Sequence, residues 1–134
     1  MNNASNSPQS PHQPQDWPAL FTRRLNAGDL DGVVALYDPD ARFVTESGET
    51  FVGRDQVRRV VAGLTEAKTR MQSKVVQAVA AGDVAVLYTD FQGTTVGPSG
   101  ETVEVNQKAI EVLRRQPDGS WRILVGDPWG RTRE

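Results

Sequence analysis

The sequence predicts an α+β fold, in which helices pack on one face of a curved, mostly antiparallel sheet. Three observations support this prediction. Apolar residues follow helical spacing over most of 16–64, and from Thr69 onward they follow the spacing of two that is typical of strands. The last hairpin, 102–129, has two long strand patterns around a Pro-Asp-Gly turn signal at 117–119. Helices grouped first and strands grouped last are typical of α+β domains.

Composition limits the possible functions. The chain has 134 residues, enough for one domain with a hydrophobic core, and a net charge of -2. We expect neither a nucleic-acid nor a membrane partner, since both need a basic surface. The absence of cysteine excludes disulfides and thiolate nucleophiles, and a single histidine, His12, excludes a histidine-based triad. We predict no metal and no cofactor, because the chain lacks a nucleotide-binding motif and its possible ligand oxygens are scattered.

The two ends of the chain are polar. Residues 1–15 consist mainly of Asn, Ser, Pro and Gln, and we expect them to form a disordered tail. Residues 131–134 form a second short tail, which leaves one domain over 16–130. No apolar run reaches the roughly 18 residues of a membrane span, and the N-terminus lacks the features of a signal peptide. A cytoplasmic location is therefore expected.

Three helices are predicted before the long strands. Asp16 is a suitable N-cap for the first helix, which Gly28 ends. Asp29 caps a shorter second helix that Pro39 ends, and the third follows Gly53. The residues expected to face inward from these helices are Trp17, Leu20, Phe21, Leu25, Leu30, Val33, Val34, Tyr37, Val57, Val60, Val61 and Leu64.

Two short and four long strands are predicted. The short ones form a pair between the second and third helices, and the long ones follow the third helix and are joined by glycine-containing turns. The predicted strands outside the last hairpin are 41–46, 50–52, 71–80 and 84–95.

Glu111 lies in the middle of the first strand of the last hairpin, between Ile110 and Val112. A carboxylate in such an apolar strand must be paired, neutral or exposed. We predict that it faces a pocket with a raised pKa, since burial disfavours the charged form. The alternative is an ion pair with an arginine.

The turns predict which side chains share a face. If the turn at 117–119 is a three-residue loop and the loop at 97–100 closes symmetrically, Val86 opposes Glu111 and Tyr88 opposes Ala109. Because side chains alternate along a strand, one face is then predicted to carry Val84, Val86, Tyr88, Asp90, Gln107, Ala109, Glu111, Leu113, Trp121, Ile123, Val125 and Asp127. The opposite face would carry Leu87, Phe91, Lys108, Ile110, Val112, Arg114, Arg122 and Leu124, which suits either a homodimer interface or a solvated outer face.

The first of these faces has apolar walls and a few polar groups near the small Ala109, as small-ligand pockets do. We predict that Tyr88, Asp90, Glu111 and Asp127 converge there under a roof formed by Phe21. The alternative is that Tyr88 is a core tyrosine and that both aspartates lie at solvated strand ends.

Three segments resemble the nuclear-transport-factor-two-like superfamily, in its branch of SnoaL-like and ketosteroid-isomerase-like proteins. They are LNAGDLDGVVALYDPDARF at 25–43, GRDQVRRVVAGL at 53–64 and IEVLRRQPDGSWRI at 110–123. The resemblance covers 25–130. It implies a cone-shaped, strongly bent sheet with the three N-terminal helices packed on its concave face over a pocket, and a homodimer formed through the outer face of the sheet.

Ketosteroid isomerases move a proton with an aspartate base while a tyrosine and a protonated aspartic acid hold the enolate oxygen. The resemblance places Glu111 at the acid of this oxyanion hole, Phe21 at the tyrosine and Thr45 at the base. Only the acid is kept in kind, so the steroid isomerase mechanism is not preserved. Tyr88 is our candidate for the missing donor and Asp90 or Asp127 for the base. The predicted catalytic residues are Glu111, Tyr88 and Asp90, and the predicted ligand-binding residues are Phe21, Tyr37, Thr45, Gln107, Ala109, Asp127 and Trp129.

Three functions fit these expectations. The first is cofactor-independent acid/base catalysis, such as isomerisation, cyclisation or dehydration, on a small apolar or carbonyl-containing molecule. The second is non-catalytic binding of a ligand in the same pocket. The third is homodimeric assembly through the outer face of the sheet. Resemblance to a superfamily with many activities permits all three.

Overall fold

A computed structural model describes residues 10–132, and it has the predicted α+β architecture. A short 3-10 helix, Pro14–Asp16, precedes the main elements. In chain order these are α1 (Trp17–Asn26), α2 (Leu30–Val34), β1 (Tyr37–Val44), β2 (Thr50–Val52), α3 (Arg54–Glu66), β3 (Arg70–Ala81), β4 (Val84–Val96), β5 (Thr102–Arg115) and β6 (Trp121–Asp127). The six strands form one bent sheet in the order β2-β1-β6-β5-β4-β3, in which only the β1–β6 pair is parallel.

The helices cover the concave face of this sheet, and the core lies between the two layers. Apolar side chains at helical spacing put Trp17, Leu20, Phe21 and Leu25 on the buried side of α1, as predicted. The indole nitrogen of Trp17 donates a hydrogen bond of 2.8 Å to the carbonyl of Leu36, which satisfies the polar atom of this buried ring. Burial of one helical stripe thus fixes α1 against the sheet.

The second helix is shorter than predicted, and β1 begins earlier. Helix α2 ends at Val34, and Tyr37 already belongs to β1, which contains Pro39. The register between β1 and β6 shifts between Tyr37 and Arg42, so this strand tolerates a proline that cannot donate to the ladder. A buried carboxylate, that of Asp38, fixes the irregular segment by accepting two hydrogen bonds from Arg114, at 2.8 and 3.0 Å.

Part of the expected N-terminal tail is ordered. Residues 1–9 lie outside the described residues, but the rings of Pro11 and Pro14 are buried. The carbonyl of Pro11 accepts a 2.8 Å hydrogen bond from the backbone of Trp121, at the start of β6. Proline carries apolar surface and loses little conformational entropy on folding, so a proline-containing segment can pack although its composition is typical of disorder.

The register between β4 and β5 differs by one residue from the prediction. Symmetric closure of the loop at 97–100 would pair Val96 with Glu101, whereas Val96 opposes Thr102 and the amide of Gly97 donates to the carbonyl of Glu101, which leaves a three-residue loop at 98–100. Gly100, at φ +83, provides the left-handed residue that three-residue hairpin loops need. As a result Leu87 opposes Glu111, and every side chain of β4 lies on the face opposite to the predicted one.

This shift corrects the assignment of both faces of β4. Leu87 and Phe91, expected on the outer face, are buried on the concave face. The residues of β4 expected in the pocket, which instead alternate onto the outer face, are Val84, Val86, Tyr88 and Asp90.

The register between β5 and β6 is partly as predicted. Leu113 opposes Ile123, as the three-residue turn at 117–119 requires. The register then shifts by one residue, so that Val112 opposes Val125 and Gly126 opposes Glu111. Such a bulge inserts one extra residue in β6, so that Val125 and Asp127, both predicted on the concave face, oppose Val112 and Ile110 of the outer face.

Candidate functional site

A cavity of about 240 Å³ lies between the concave face of the sheet and the helices. Its walls are mainly apolar, and six of the nine aromatic side chains of the chain line it. Two of them, Trp17 and Phe21, stack with ring centroids 5.0 Å apart, and Phe21 meets Phe91 edge-on at 5.7 Å. The lining residues are Trp17, Phe21, Tyr37, Phe43, Thr45, Glu46, Val60, Val61, Leu64, Met71, Phe91, Gln107, Glu111, Ile123, Gly126, Asp127, Pro128 and Trp129.

Glu111 is a buried ionisable group in the mainly apolar wall of this cavity. Its side chain is on the concave face of β5, and the residue is 4% exposed. Burial raises the pKa of its carboxyl to about 7, although a hydrogen bond from Thr89 and the positive charge of Arg131 act in the opposite direction. Glu111 thus lies on the inward face, where the sequence predicted it, and its burial acts on the pKa in the predicted direction.

The hydroxyl of Thr89 donates a 2.8 Å hydrogen bond to Oε1 of Glu111. Within residues 10–132 this is the side-chain hydrogen bond that Glu111 makes, and no lysine or arginine there forms an ion pair with it. The alternative of a Glu111–arginine pair is therefore not realised. An acid held by one neutral donor in an apolar site is neutral below pH 7 and can donate a hydrogen bond.

Tyr37 places a second polar group in the cavity, from the first residue of β1. It is buried, and burial together with the nearby negative charge of Glu111 raises the pKa of its phenol far above the ordinary value. Its ring meets that of Trp17 edge-on at 5.7 Å. Tyr37 is therefore a neutral hydroxyl that can donate to a ligand beside Glu111.

The other polar groups of the cavity are less buried. Asp127 is half-buried at the end of β6, where its Oδ1 accepts a 3.2 Å hydrogen bond from the backbone of Trp129. Thr45 and Glu46 both line the cavity, although adjacent residues of the predicted strand 41–46 would point to opposite faces. The reason is that β1 ends at Val44 and a turn follows, with Gly48 at φ +94.

The structure brings seven predicted site residues together around the cavity and separates three from it. The seven are Phe21, Tyr37, Thr45, Gln107, Glu111, Asp127 and Trp129. Ala109 is buried on the concave face of β5 but does not line the cavity. Tyr88 and Asp90 lie on the opposite side of the sheet from Glu111, because β4 is shifted by one residue. The predicted convergence of Tyr88, Asp90, Glu111 and Asp127 is therefore wrong.

Asp90 has a different role from the predicted one. It accepts a 2.6 Å hydrogen bond from Arg131, and Lys108 lies 3.9 Å away. The bond from Arg131, helped by Lys108, lowers the pKa of the Asp90 carboxyl. Asp90 thus anchors the C-terminal segment on the outer face and is not placed to act as a base in the cavity.

The segment after β6 passes from the cavity to the outer face. Pro128 and Trp129 line the cavity, whereas Arg131 donates to the carbonyls of Ala109 and Thr89, at 3.2 and 3.0 Å. Gly130 lies against Ile110, and a Cβ at Gly130 would approach the Ile110 side chain to 2.9 Å. Arg131, expected in a polar tail, is part of the fold.

Some residues of the cavity were not predicted as site residues. Trp17, Val61 and Leu64 were predicted only to be buried, and Met71 opens β3 beside α1. Helical periodicity identifies the buried side of a helix but does not distinguish a cavity wall from a filled core. Glu46 could have been found only by locating the end of β1.

The described residues contain no cluster of three or more His, Asp or Glu side chains placed to hold a metal ion. Each helix within residues 10–132 is too short or too polar to cross a lipid bilayer.

The α+β cone with a helix-covered cavity defines a class of small pocket-forming domains. The sequence model of the SnoaL-like domain family matches residues 19–123, and the chain belongs to this family. Among curated proteins no sequence matches the chain. The resemblance seen in the three sequence segments is thereby confirmed at the level of the family and the fold.

Three solved structures illustrate the shared fold. A ketosteroid isomerase-like protein from Erwinia carotovora atroseptica aligns over 84% of this chain and 89% of its own, with 20% identity and a TM-score of 0.74. A putative calcium/calmodulin-dependent protein kinase type II association domain from Thiobacillus denitrificans covers 91% and 98%, with 23% identity and a TM-score of 0.70. A nuclear-transport-factor-two-like protein with a cystatin-like fold from Novosphingobium aromaticivorans covers 84% and 75%, with 16% identity and a TM-score of 0.69.

Proposed function

We propose that this domain binds a small, largely apolar, neutral molecule with a carbonyl or similar acceptor oxygen, and that Glu111 donates a hydrogen bond to that oxygen. One observation carries the proposal: a buried acid without a cationic partner among the described residues faces an apolar cavity. Keeping such a group buried costs stability, which a role in binding or catalysis explains and packing does not.

The shape of the cavity limits the ligand. Its volume of about 240 Å³ is below the roughly 300 Å³ at which sites for drug-sized molecules begin. Aromatic side chains such as Trp17, Phe21 and Phe91 form much of the wall and favour a flat, unsaturated partner. We propose a ligand of one or two rings.

The polar groups support acid/base chemistry on this ligand. Glu111 and Tyr37 are two neutral donors that can hold a developing enolate oxygen, a task in which preorganised donors are most effective. Asp127 is the candidate base: it contributes to the lining of the same cavity and is half-buried at the end of β6, where it opposes Ile110 and its carboxylate accepts a hydrogen bond from the amide of Trp129. The reaction class is isomerisation, cyclisation or dehydration of a carbonyl compound. Phe21 and Thr45 cannot supply the tyrosine and base of a steroid isomerase, so the groups doing the chemistry would differ from those of that enzyme.

A binding experiment tests the pocket. We would screen aryl ketones, cyclic enones, 2-naphthol and 4-nitrophenol by thermal shift and measure the hits by calorimetry at pH 6 and pH 8. Glu111→Gln should change both the affinity and its pH dependence, whereas Glu104→Gln, an exposed glutamate on the same strand, should change neither. Equal binding by wild type and Glu111→Gln at both pH values would refute the role of Glu111.

Turnover assays on the compounds that bind distinguish a catalyst from a binder. Asp127→Asn should abolish turnover of a bound enone while leaving its affinity within a few fold, because a base acts on the transition state and contributes little to ground-state binding. Ligands that bind in the Glu111-dependent way but are never converted would identify a non-catalytic binding protein.

We also propose that the chain forms a homodimer through the outer face of the sheet. With the observed register, the apolar side chains paired across this face are Val79, Val84, Val86, Tyr88, Ile110, Val112 and Val125. Val79 and Val84 are 49% and 44% exposed, and a contiguous apolar patch of this kind is unusual on a monomer. One of the solved structures that share this fold is named a putative kinase association domain, which is compatible with assembly through this fold.

Sedimentation tests the dimer. Wild type should sediment with the mass of two chains at micromolar concentration, and Val86→Asp should sediment with the mass of one. Val103→Asp is the matched control, because Val103 is 41% exposed on the other face of β5. A single-chain mass for wild type would refute this interface.

A further inference from the structure

Thr89 is hydrogen-bonded to side chains on both sides of the sheet: through its hydroxyl on the cavity side and through its backbone carbonyl on the outer side. Its hydroxyl donates to Oε1 of Glu111 at 2.8 Å on the cavity side. Its carbonyl accepts a 3.0 Å hydrogen bond from Arg131, whose Nη2 also bonds Asp90 at 2.6 Å. The residue is fully buried, so neither bond competes with water.

The direction of the Thr89–Glu111 hydrogen bond follows from the surroundings. In the described part of the chain the Thr89 hydroxyl has no partner besides Glu111. If a protonated Glu111 donated to Thr89, the hydroxyl hydrogen of Thr89 would be buried without an acceptor, which is unfavourable. With Thr89 as donor, Oε1 of Glu111 is an acceptor and the carboxylic proton is carried by Oε2.

We infer that Thr89 is a positioning residue, whose hydroxyl engages Oε1 of Glu111 so that Oε2 is the oxygen left to carry the proton and donate it in a hydrogen bond to the acceptor oxygen of a neutral carbonyl ligand. This inference rests on the proposed function of the cavity. It adds a specificity determinant. When one carboxyl oxygen of Glu111 is held by Thr89, the group offers a single donor, and the ligand oxygen can bind it in one orientation only.

Three features support a positioning role. Thr89 is β-branched, and few rotamers are open to such a side chain in a strand. Arg131 holds the main chain of Thr89 from the opposite side of the sheet. The other ionisable groups that line the cavity or act on Glu111 are Tyr37, Glu46, Asp127 and Arg131, and within residues 10–132 the side-chain hydrogen bond to its carboxyl comes from Thr89 rather than from these groups. Thr89 is thus the group that fixes the carboxyl's orientation.

Carboxyl NMR titration of the full chain tests the inference with three variants. Thr89→Val removes the hydroxyl at nearly constant volume, and it should move the Glu111 titration upward by about one pH unit, because a hydrogen bond to a charged group is lost. Thr89→Ser keeps the hydroxyl and should restore most of the wild-type titration. Thr94→Val is the control, since Thr94 is exposed on the same strand. Should Thr89→Val not fold, Thr89→Ala deletes the same hydroxyl.

Binding of a neutral enone to the same variants completes the test. Thr89→Val should weaken binding by about tenfold, the effect of losing roughly one well-placed hydrogen bond, and Thr89→Ser should recover it. A folded Thr89→Val variant whose Glu111 titrates as in wild type, with unchanged binding, overturns the role of Thr89 and leaves the proposed function standing. If wild type binds none of the probes but the Glu111 titration still moves upward in Thr89→Val, the proposed function is refuted. That result would still support Thr89 as the residue that holds the Glu111 carboxyl.

Discussion

Tyr37 and Glu111 face one cavity from β1 and β5, and the negative charge of Glu111 helps to raise the pKa of the Tyr37 phenol. The two groups are therefore neutral together below pH 7 and offer two hydrogen-bond donors in an apolar site. A ligand oxygen that gains negative charge would bond to both, whereas a carboxylate ligand would meet a growing repulsion above pH 7 as Glu111 ionises.

The first prediction concerns Tyr37. Tyr37→Phe removes the hydroxyl and keeps the ring that packs against Trp17, so the fold should be retained. The affinity for a bound phenol or enone should fall by about tenfold, or by about 1.4 kcal/mol, since one donor is lost. Calorimetry measures the change. Tyr88→Phe is the control on the outer face, and unchanged affinity in Tyr37→Phe, or an equal loss in both variants, would contradict a direct hydrogen bond from Tyr37 to the ligand.

The second prediction is that Glu111 makes stability depend on pH in a specific direction. Its folded pKa, about 7, lies above the unfolded value of 4.5, so the unfolded chain releases its proton first as the pH rises. The free energy of unfolding should therefore fall between pH 4.5 and pH 7, by about 3 kcal/mol at most, and this contribution should be constant above pH 7.

Glu111→Gln removes this ionisation. Urea unfolding should find the variant more stable than wild type at pH 8 and similar at pH 4, with the difference growing between these values. Glu49→Gln, at an exposed glutamate, supplies the control. If Glu111→Gln were less stable than wild type at pH 8, the proposal that the buried Glu111 carboxyl lowers the stability of the fold would be wrong.

The sequence predicts the layers of this fold better than the contents of the cavity. Apolar spacing places α1 and α3 because each has one apolar stripe and a polar remainder. Strand β4 has no such asymmetry: Val84, Val86 and Tyr88 alternate with Ala85 and Leu87, so either parity could face the core. Which face of β4 is buried then depends on the length of the loop at 97–100. This loop contains two glycines, and its sequence is compatible with closure in either of two registers that differ by one residue.

Glu111 was predictable for the opposite reason. Its neighbours in the strand are apolar, so its environment follows from local sequence whatever the register of β4. Tyr37 was expected to face inward, but from a helix, because the segment before Pro39 has helical spacing. Its placement beside Glu111 depends on long-range pairing between β1 and β6, to which a single sequence gives no access.

A third prediction concerns Asp38, which anchors β1 to β5. Its carboxylate is buried and accepts hydrogen bonds from Arg114, Gln116 and the backbone of Asp40. Burial acts to raise the pKa of this carboxyl, but the hydrogen bonds led by Arg114 outweigh it and lower the pKa. Asp38→Ala removes the acceptor of these hydrogen bonds, whereas the Arg114 side chain it leaves is 42% exposed and can be solvated, so the variant should be destabilised by about 1 to 2 kcal/mol.

The pH dependence of Asp38 has the opposite sign to that of Glu111. A lowered folded pKa contributes stability above the unfolded value of 3.8, and that contribution is lost as the pH falls through the folded pKa. Unfolding measured from pH 5 to pH 2 should show a larger loss of stability in wild type than in Asp38→Asn, because other carboxylates with lowered pKa, such as Asp90, remain in the variant. Asp40→Asn is the control, because the Asp40 side chain is 77% exposed.

The last prediction compares two glycines. Gly93 lies in β4, where a Cβ would stand 1.9 Å from the backbone carbonyl oxygen of Arg70 on the neighbouring strand. Gly63 lies in α3 with nothing within 4 Å of the same position. An alanine at Gly93 must push two hydrogen-bonded strands apart, because all three atoms it would meet belong to the backbone of Arg70 and Met71. We expect Gly93→Ala to destabilise the fold by about 2 kcal/mol or more.

Gly63→Ala should instead stabilise the protein by about 0.5 to 1 kcal/mol, since alanine loses less backbone entropy in a helix and meets no obstacle there. Thermal and urea unfolding of both variants beside wild type give the two signs directly. Because β3 carries Met71 into the cavity wall, Gly93→Ala should also weaken ligand binding, whereas Gly63→Ala should leave it unchanged. Equal stability of the two variants would mean that β3 and β4 separate at little cost, contrary to the close approach of Arg70 to Gly93.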